Sequence, residues 1–380
     1  MPTYLDYAAA TPMDPAVLEA MRPYLAERFF NPSATYLPAV AVRKDLEAAR
    51  AQVAGLLGAR ASEIIFTAGA TEANNLAIKG VLEQYPGSTV LVSSIEHESV
   101  LAPARTFNCR EIPVSPQGII DLDVLAAHID DKTVLVSIMY ANNEVGSIQP
   151  IHQAAIILEE IRRQRRLDGN ERPLYLHTDA AQAAAYLDLH VARLGVDFMT
   201  LNGGKIYGPK QTGILFAASH TRFIPQIVGG GHERGLRGGT ENVPGAVGFA
   251  AALALVQARR HDESRRLQGL QRLFIELLEA QLPTAAINGS RKHRLPNNVH
   301  ITVPGIDNER VLIELDEAGI LCAAGSACSA SNEEPSHVLR AMGLSDQDAQ
   351  SSLRFSMGRQ TNEAAIRHTA EVLASICQKG

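Results

Sequence analysis

The sequence predicts an α/β protein with a largely parallel central sheet, followed by a smaller α+β C-terminal domain. Three observations carry this. Short, β-branched-rich apolar runs bounded by turn residues recur through the first two thirds: Ile64-Ile65-Phe66, Thr89-Val90-Leu91-Val92, Val134-Leu135-Val136-Ser137-Ile138, Leu174-Tyr175-Leu176 and Ile214-Leu215-Phe216. Runs of this kind read as buried strands. Between several of them lie stretches with apolar positions recurring at three and four, such as Val40 to Leu57 and Ile151 to Arg165, and strands alternating with helices imply parallel pairing. The rhythm breaks at Gly229-Gly230-Gly231, Gly235, Gly238 and Gly239, a cluster that reads as an irregular, closely packed loop. A long Ala/Leu/Arg-rich helix from about Val247 to Leu282 then bridges into the strands Val299-His300-Ile301-Thr302-Val303 and Leu353-Arg354-Phe355-Ser356.

At 380 residues the chain is too long for one growing core, so two domains are expected. The boundary is set near Gln257. Residues 1–15 form an N-terminal segment packing with the small domain, 16–257 the large domain and 258–380 the small one. With 35 Lys+Arg against 41 Asp+Glu the net charge is −6, which favours neither nucleic acid nor an anionic membrane as partner. The start, Met1-Pro2-Thr3-Tyr4-Leu5-Asp6, has no basic segment leading into an apolar one, and no apolar run reaches the ~18 residues of a membrane span. A cytoplasmic protein is expected. Four cysteines, at 109, 322, 328 and 377, make no dense disulfide framework and suit a reducing compartment in which a thiol can stay free.

In open α/β sheets ligands sit beyond the C-terminal ends of strands, so the polar residues directly after the apolar runs are the candidates. Thr67-Ala68-Gly69-Ala70-Thr71-Glu72 opens a helix, and its exposed N–H groups suit a phosphate; a plain turn with Thr71 capping the helix reads the same way. His177-Thr178-Asp179-Ala180-Ala181-Gln182 places an acid at a strand end, where it either caps a helix or meets a cationic partner such as a pyridinium nitrogen. Asn202-Gly203-Gly204-Lys205 offers a lysine which, if desolvated, becomes an amine nucleophile towards an aldehyde, although most loop lysines are simply solvated. Cys322-Ala323-Ala324-Gly325-Ser326-Ala327-Cys328-Ser329 is a run of small residues that can move and leaves Cys328 accessible. A disulfide between Cys322 and Cys328 does not suit a reducing compartment, and His337 alone does not complete a zinc set. On its own, His97 in Ser94-Ile95-Glu96-His97-Glu98 reads as structural.

Taken together in chain order, these clusters resemble a group I cysteine desulfurase, the bacterial iron–sulfur cluster type within the class V aminotransferases. The likeness runs from Tyr4-Leu5-Asp6-Tyr7-Ala8-Ala9 to Arg354-Phe355-Ser356-Met357-Gly358-Arg359. It includes Gly69-Ala70-Thr71-Glu72, Asn142-Asn143-Glu144-Val145-Gly146, Lys205-Ile206-Tyr207-Gly208-Pro209-Lys210, Gly229-Gly230-Gly231-His232-Glu233-Arg234-Gly235 and Gly325-Ser326-Ala327-Cys328-Ser329. The resemblance implies the pyridoxal-phosphate-dependent fold type I, the aspartate-aminotransferase-like architecture, with the cofactor in the large domain. It makes Lys205 the residue that holds the cofactor covalently and Asp179 the partner of the pyridine nitrogen. Gln182 and Asn143 fall near the phenolic oxygen, and His97 stacks on the ring and shares in proton transfer. Ala70, Thr71 and Asn202 fall at the phosphate, with Thr240 reaching the phosphate of the other subunit of a homodimer. Asn31 and Arg354 hold the substrate carboxylate. L-cysteine is converted to alanine, its sulfur kept as a persulfide on Cys328 and passed to an acceptor or iron–sulfur scaffold protein, for cluster assembly or tRNA thiolation.

The chain departs from the family pattern in places. Where the family has Ser, Gly, His before the lysine, this chain has Asn202, Gly203, Gly204, so an imidazole is missing beside Lys205. The histidine shortly after Asn31-Pro32-Ser33 is absent, and the tail ending Gln378-Lys379-Gly380 is expected to be short for scaffold docking. Two other functions compete: another small-substrate enzyme of the same fold, such as a selenocysteine lyase or an aminotransferase, and a degenerate relative that only binds partners.

Overall fold

The computed structural model describes residues 2–325 and 335–378. After a two-residue strand, Thr3–Tyr4 (β1), the central sheet is built from Ile64–Thr67 (β2), Thr89–Ser93 (β3), Asn108–Ile112 (β4), Thr133–Ser137 (β5), Tyr175–Asp179 (β6), Phe198–Asn202 (β7) and Gly213–Ala217 (β8). Their order is β2-β8-β7-β6-β5-β3-β4. All neighbours pair in parallel except β8, which runs antiparallel to both β2 and β7. The mainly parallel sheet expected from the sequence is therefore present, with one reversed strand.

β3 and β5 carry the same pentapeptide, Thr-Val-Leu-Val-Ser, and all ten residues are buried. Helices cover both faces of the sheet at these strands, so their sequences are continuously apolar instead of alternating. The edge strand β4 was not legible in the sequence because only its last residue, Ile112, is buried. The helix Leu37–Leu57 ends on Gly58, whose φ of 66° is left-handed, and a Cβ there would sit 2.4 Å from His190 Nε2. Both facts demand glycine at that helix end.

The C-terminal part is an antiparallel sheet of Ala286–Ile287 (β9), Asn298–Thr302 (β10) and Ser352–Ser356 (β12), order β12-β10-β9, while Ile320–Leu321 (β11) pairs in parallel with β1. The chain's first residues thus belong to the same local structure as residues 320–321. One helix, Val243–Gln281, connects the two sheets. Its first half buries Phe249, Leu253 and Val256; its second half buries Leu267, Phe274 and Leu278, with Phe274 edge-on to Phe355 of β12 at 5.2 Å. Gln257 lies inside this helix, its Nε2 donating to the carbonyls of Ala184 and Leu187. One continuous apolar cluster includes Leu176, Leu253, Phe274 and Phe355 and so passes from one sheet to the other. Among the described residues no helix is long and apolar enough to cross a membrane.

The glycine-rich loop is held by a buried ion pair. Arg50 Nη1 and Nη2 meet Glu233 Oε2 and Oε1 at 2.5 and 2.9 Å, with both side chains at most 3% exposed. Glu233 Oε2 also accepts from Phe66 N at 3.1 Å, and Arg50 Nη1 donates to Ile64 O at 3.0 Å. The loop is therefore pinned to β2 at Phe66 and to Arg50 by a two-pronged, fully desolvated contact.

Breaking one side of such a pair strands a buried charge, so Glu233→Gln is expected to lower unfolding stability by about 3–5 kcal/mol in denaturant titration. Gly269, exposed in the long helix with nothing within 4 Å of a built Cβ, gives the opposite expectation. Gly269→Ala should raise stability by about 0.5–1 kcal/mol, read as an increase in the denaturation midpoint.

Candidate active site at the ends of the parallel strands

β6 delivers Asp179 to its C-terminal end, where the carboxylate is 7% exposed. Its Oδ1 accepts from Ala181 N at 2.9 Å, the turn bond expected of an Asp in this position, but no helix follows for it to cap. Its Oδ2 accepts from Asn74 Nδ2 at 2.8 Å. Asn74 Nδ2 also donates to Ser99 Oγ at 2.8 Å, and Ser99 Oγ lies 2.8 Å from His97 Nδ1. His97 caps the short helix Glu98–Ala104, its Nδ1 accepting from Ser99 N at 3.0 Å. Burial pushes the His97 ring below the ordinary histidine range; the Asp179 charge opposes this and the Lys205 charge adds to it. His97 therefore lies within electrostatic reach of both Asp179 and Lys205. Beside them, His177 is fully buried between Ser137 Oγ and Thr200 Oγ1 and is pushed down to about 4 by desolvation. Glu96 is fully buried too, and its carboxyl is raised well above the usual range by desolvation, with the Asp179 charge adding to the rise.

Lys205 lies in the turn between β7 and the reversed strand β8. Its Nζ donates to Ala8 O at 2.8 Å and Ala9 O at 2.6 Å, and Gln182 Nε2 donates to the same Ala8 O at 3.0 Å. The N-terminal segment thus reaches across to the lysine. It is fixed there by Thr11, whose N and Oγ1 both donate to Gly204 O, at 3.1 and 3.0 Å, and whose Oγ1 accepts from Tyr207 N at 2.8 Å. Tyr207 and Gln211 have left-handed φ values of 61° and 55°, strain that persists because the turn is held from several sides. Asn202 does not point away from this turn: its Oδ1 caps it by accepting from Gly204 N at 2.9 Å. A Cβ built at Gly204 would meet only Asn202 Oδ1 at 3.4 Å and Lys210 Cδ at 3.7 Å, so the backbone leaves room for a side chain there.

From the small sheet, Arg354 of β12 points into this region. Its Nη2 donates to Asp6 Oδ1 at 2.7 Å and its Nη1 to Asn143 O at 3.2 Å, while Nε, buried, has no hydrogen-bond partner. Asp6 was not singled out in the sequence as a site residue, and neither were Asn74 and Ser99. Ala70 and Thr71 begin the helix Ala70–Gln84, but Gly69 is its N-cap and no side chain caps it, so the reading of Thr71 as a cap does not hold. Thr71, His97 and Ser99 line one open cleft of about 470 Å³. Thr240 lines a different cavity, of about 330 Å³, with Phe66, Thr67 and Arg237. Asn31 is exposed, its Oδ1 accepting from Ser33 N at 2.9 Å. Cys328 lies outside the described residues. Of the other cysteines, Cys322 is pushed up to about 12 and Cys109 and Cys377 to about 11, desolvation being the main cause in each.

These residues fit a phosphorylated pyridine aldehyde. An uncapped helix start leaves N–H groups for the phosphate, a buried carboxylate stands ready for a pyridinium, and the lysine charge acts on the same His97 ring as that carboxylate. A family model, Aminotransferase class-V, matches residues 3–368. The chain belongs to the class-V aminotransferase family. It is a pyridoxal-phosphate-dependent enzyme of fold type I. Among its relatives is a protein named cysteine desulfurase IscS from Dictyoglomus turgidum, 39% identical over 383 residues, which span 99% of this chain and 94% of the relative. Cysteine desulfurase IscS 1 from Archaeoglobus fulgidus is 38% identical over 99% of this chain and 97% of its own. A solved structure of a NifS-like protein superposes with a TM-score of 0.91 at 30% identity, covering all of both chains. One described as SspA in complex with cysteine superposes with a TM-score of 0.80 at 33% identity, covering 93% of this chain and 98% of that one.

Because φ at Gly204 is not left-handed and the space beside it is open, Gly204→His is expected to fold with stability within about 0.5 kcal/mol of the parent. Chemical denaturation of the two proteins side by side checks this. The missing imidazole would then be a difference of chemistry beside Lys205 and not one forced by packing.

Proposed function

We propose that the chain is a cysteine desulfurase that converts L-cysteine to alanine and carries the sulfur as a persulfide on Cys328. The observation that carries this reading is the convergence of Lys205, Asp179 and His97 with the buried fork of Arg354, in a chain whose relatives bear that name. Pyridoxal phosphate, when bound, supplies an electron sink that stabilises negative charge at the substrate's α-carbon. In this reading Ala70, Thr71 and Asn202 hold the phosphate, Asp179 faces the ring nitrogen, and Gln182 and Asn143 lie at the phenolic oxygen.

Lys205 holds the cofactor and moves the α-proton at Nζ. Its two carbonyl acceptors, Ala8 O and Ala9 O, orient the amine from the side of the N-terminal segment. Arg354 takes the substrate carboxylate: Asp6 and Asn143 O occupy two of its nitrogens and orient the plane, and the partnerless Nε is a donor for the incoming oxygen. Asn31 assists at the same carboxylate. His97 carries a proton at the ring's edge. The sulfur step needs a thiolate, and desolvation pushes the three described, part-buried thiols up, away from that form. The resemblance assigns the step to Cys328. Its thiolate attacks the substrate sulfur, the carbon–sulfur bond breaks with its electron pair left on carbon, and protonation of that carbon gives alanine.

We further propose a homodimer, since the family resemblance makes Thr240 the residue that reaches the phosphate of the other subunit. A cytoplasmic location and transfer of the sulfur to an acceptor or scaffold protein complete the reading.

The test is to mix purified, cofactor-loaded protein with L-cysteine and measure alanine and reductant-released sulfide, beside Cys328→Ala and Lys205→Ala. Equal amounts of the two products, abolished in both variants, are expected. Desulfuration that survives Cys328→Ala would sink the assignment, and bound cofactor with no alanine formed would point to another substrate of the same fold.

A further inference from the structure

The polar contacts between Asp179 and His97 form a directed chain. Asn74, fully buried on the helix Ala70–Gln84, has its Nδ2 2.8 Å from both Asp179 Oδ2 and Ser99 Oγ. A carboxylate can only accept, so the amide must turn its NH₂ and not its oxygen towards Asp179, and both of its hydrogens are then used. Ser99 Oγ, accepting from Asn74, has its own hydrogen left for His97 Nδ1 at 2.8 Å. Ser99 N also donates to that same Nδ1, at 3.0 Å, and a backbone N–H has no other role. His97 Nδ1 is therefore an acceptor twice over. The neutral ring must carry its proton on Nε2.

We propose that Asn74 and Ser99 are positioning residues that fix the Asp179 carboxylate and lock His97 into its Nε2–H tautomer, so that the ring gives and regains a proton at Nε2 alone. Putting a proton on Nδ1 would turn it into a donor facing two donors and break the cap of the helix Glu98–Ala104. Burial of the ring acts in the same sense, disfavouring the doubly protonated form. The inference rests on the reading of Asp179 and His97 as cofactor-facing residues. It adds that the two are coupled through a side-chain amide on a third element.

The test uses histidine-labelled holoenzyme, with ring-nitrogen NMR correlations assigned to His97 by their loss in His97→Gln, together with pyridoxal phosphate titration of the apoenzyme. The parent should show His97 Nδ1 unprotonated and Nε2 protonated. Ser99→Ala should shift the Nδ1 signal towards a tautomer mixture, and Ser99→Thr, which keeps the hydroxyl, should restore it. Asn74→Ala should weaken cofactor binding by about tenfold or more, since Asp179 loses a donor to its charge. A parent ring protonated on Nδ1 overturns the proposal. So do Ala variants with parental ring signals and parental affinity, whatever their melting temperatures, because that would make both residues packing alone. If the parent itself binds no pyridoxal phosphate, the cofactor reading fails instead, while the ring signals of the apoprotein still decide the tautomer.

Discussion

The N-terminal segment is the constraint on which the rest of the site depends. Within nine residues it pairs with β11 through Thr3–Tyr4, meets Arg354 through Asp6, accepts from Lys205 on Ala8 O and Ala9 O, and fastens the lysine turn through Thr11. Ala8 N also donates to Ser356 Oγ of β12 at 2.8 Å. These partners lie roughly 200 and 350 positions further along the chain, so the loop-closure entropy of bringing them together must be met by contacts formed elsewhere. The long helix and the shared apolar cluster supply those contacts, and the segment can then lie down on surfaces already assembled.

A second layer of constraint sits on β6 and just beyond β3, where Asp179, His177 and Glu96 are withdrawn from water together. Desolvation pushes His177 down to about 4 and the Glu96 carboxyl well above the usual range, while Asp179 takes donors from Asn74 and Ala181 and Glu96 takes one from Met139 N. The polar layer thus treats the two carboxyl groups differently. In the proposed reading, that difference suits Asp179, at the strand end, to face a cationic ring.

Much of this was readable in the sequence. Strands buried on both faces announce themselves as unbroken apolar runs, which is why β3, β5 and β8 were found, and glycine-flanked Lys205 and strand-terminal Asp179 stood out for the same reason. The edge strand β4 escaped because exposure removes the apolar signal, and the reversal of β8 escaped because direction leaves no mark on composition. Asn74 was hidden in plain view: it shares the buried face of its helix with Ala70, Ala73 and Ala77, and a polar residue at a fully apolar spacing is the one clue that it has partners. Asp6 gave no local clue at all, since its role comes from a strand some 350 residues away.

The helix Val243–Gln281 runs unbroken from the part of the core beneath the large sheet to the part beneath the small sheet that carries Arg354. At 39 residues it is a rod of about 58 Å. Within that rod there is no flexible joint about which the two sheets could swing. Adjustments between amine and guanidinium must instead be small slips of side chains along the rod's flanks, shared over many contacts and soft only where packing is thin. In the proposed reading, such a mounting would hold the groups that grip the two ends of a small amino acid at a nearly constant spacing, as the jaws of a caliper are held.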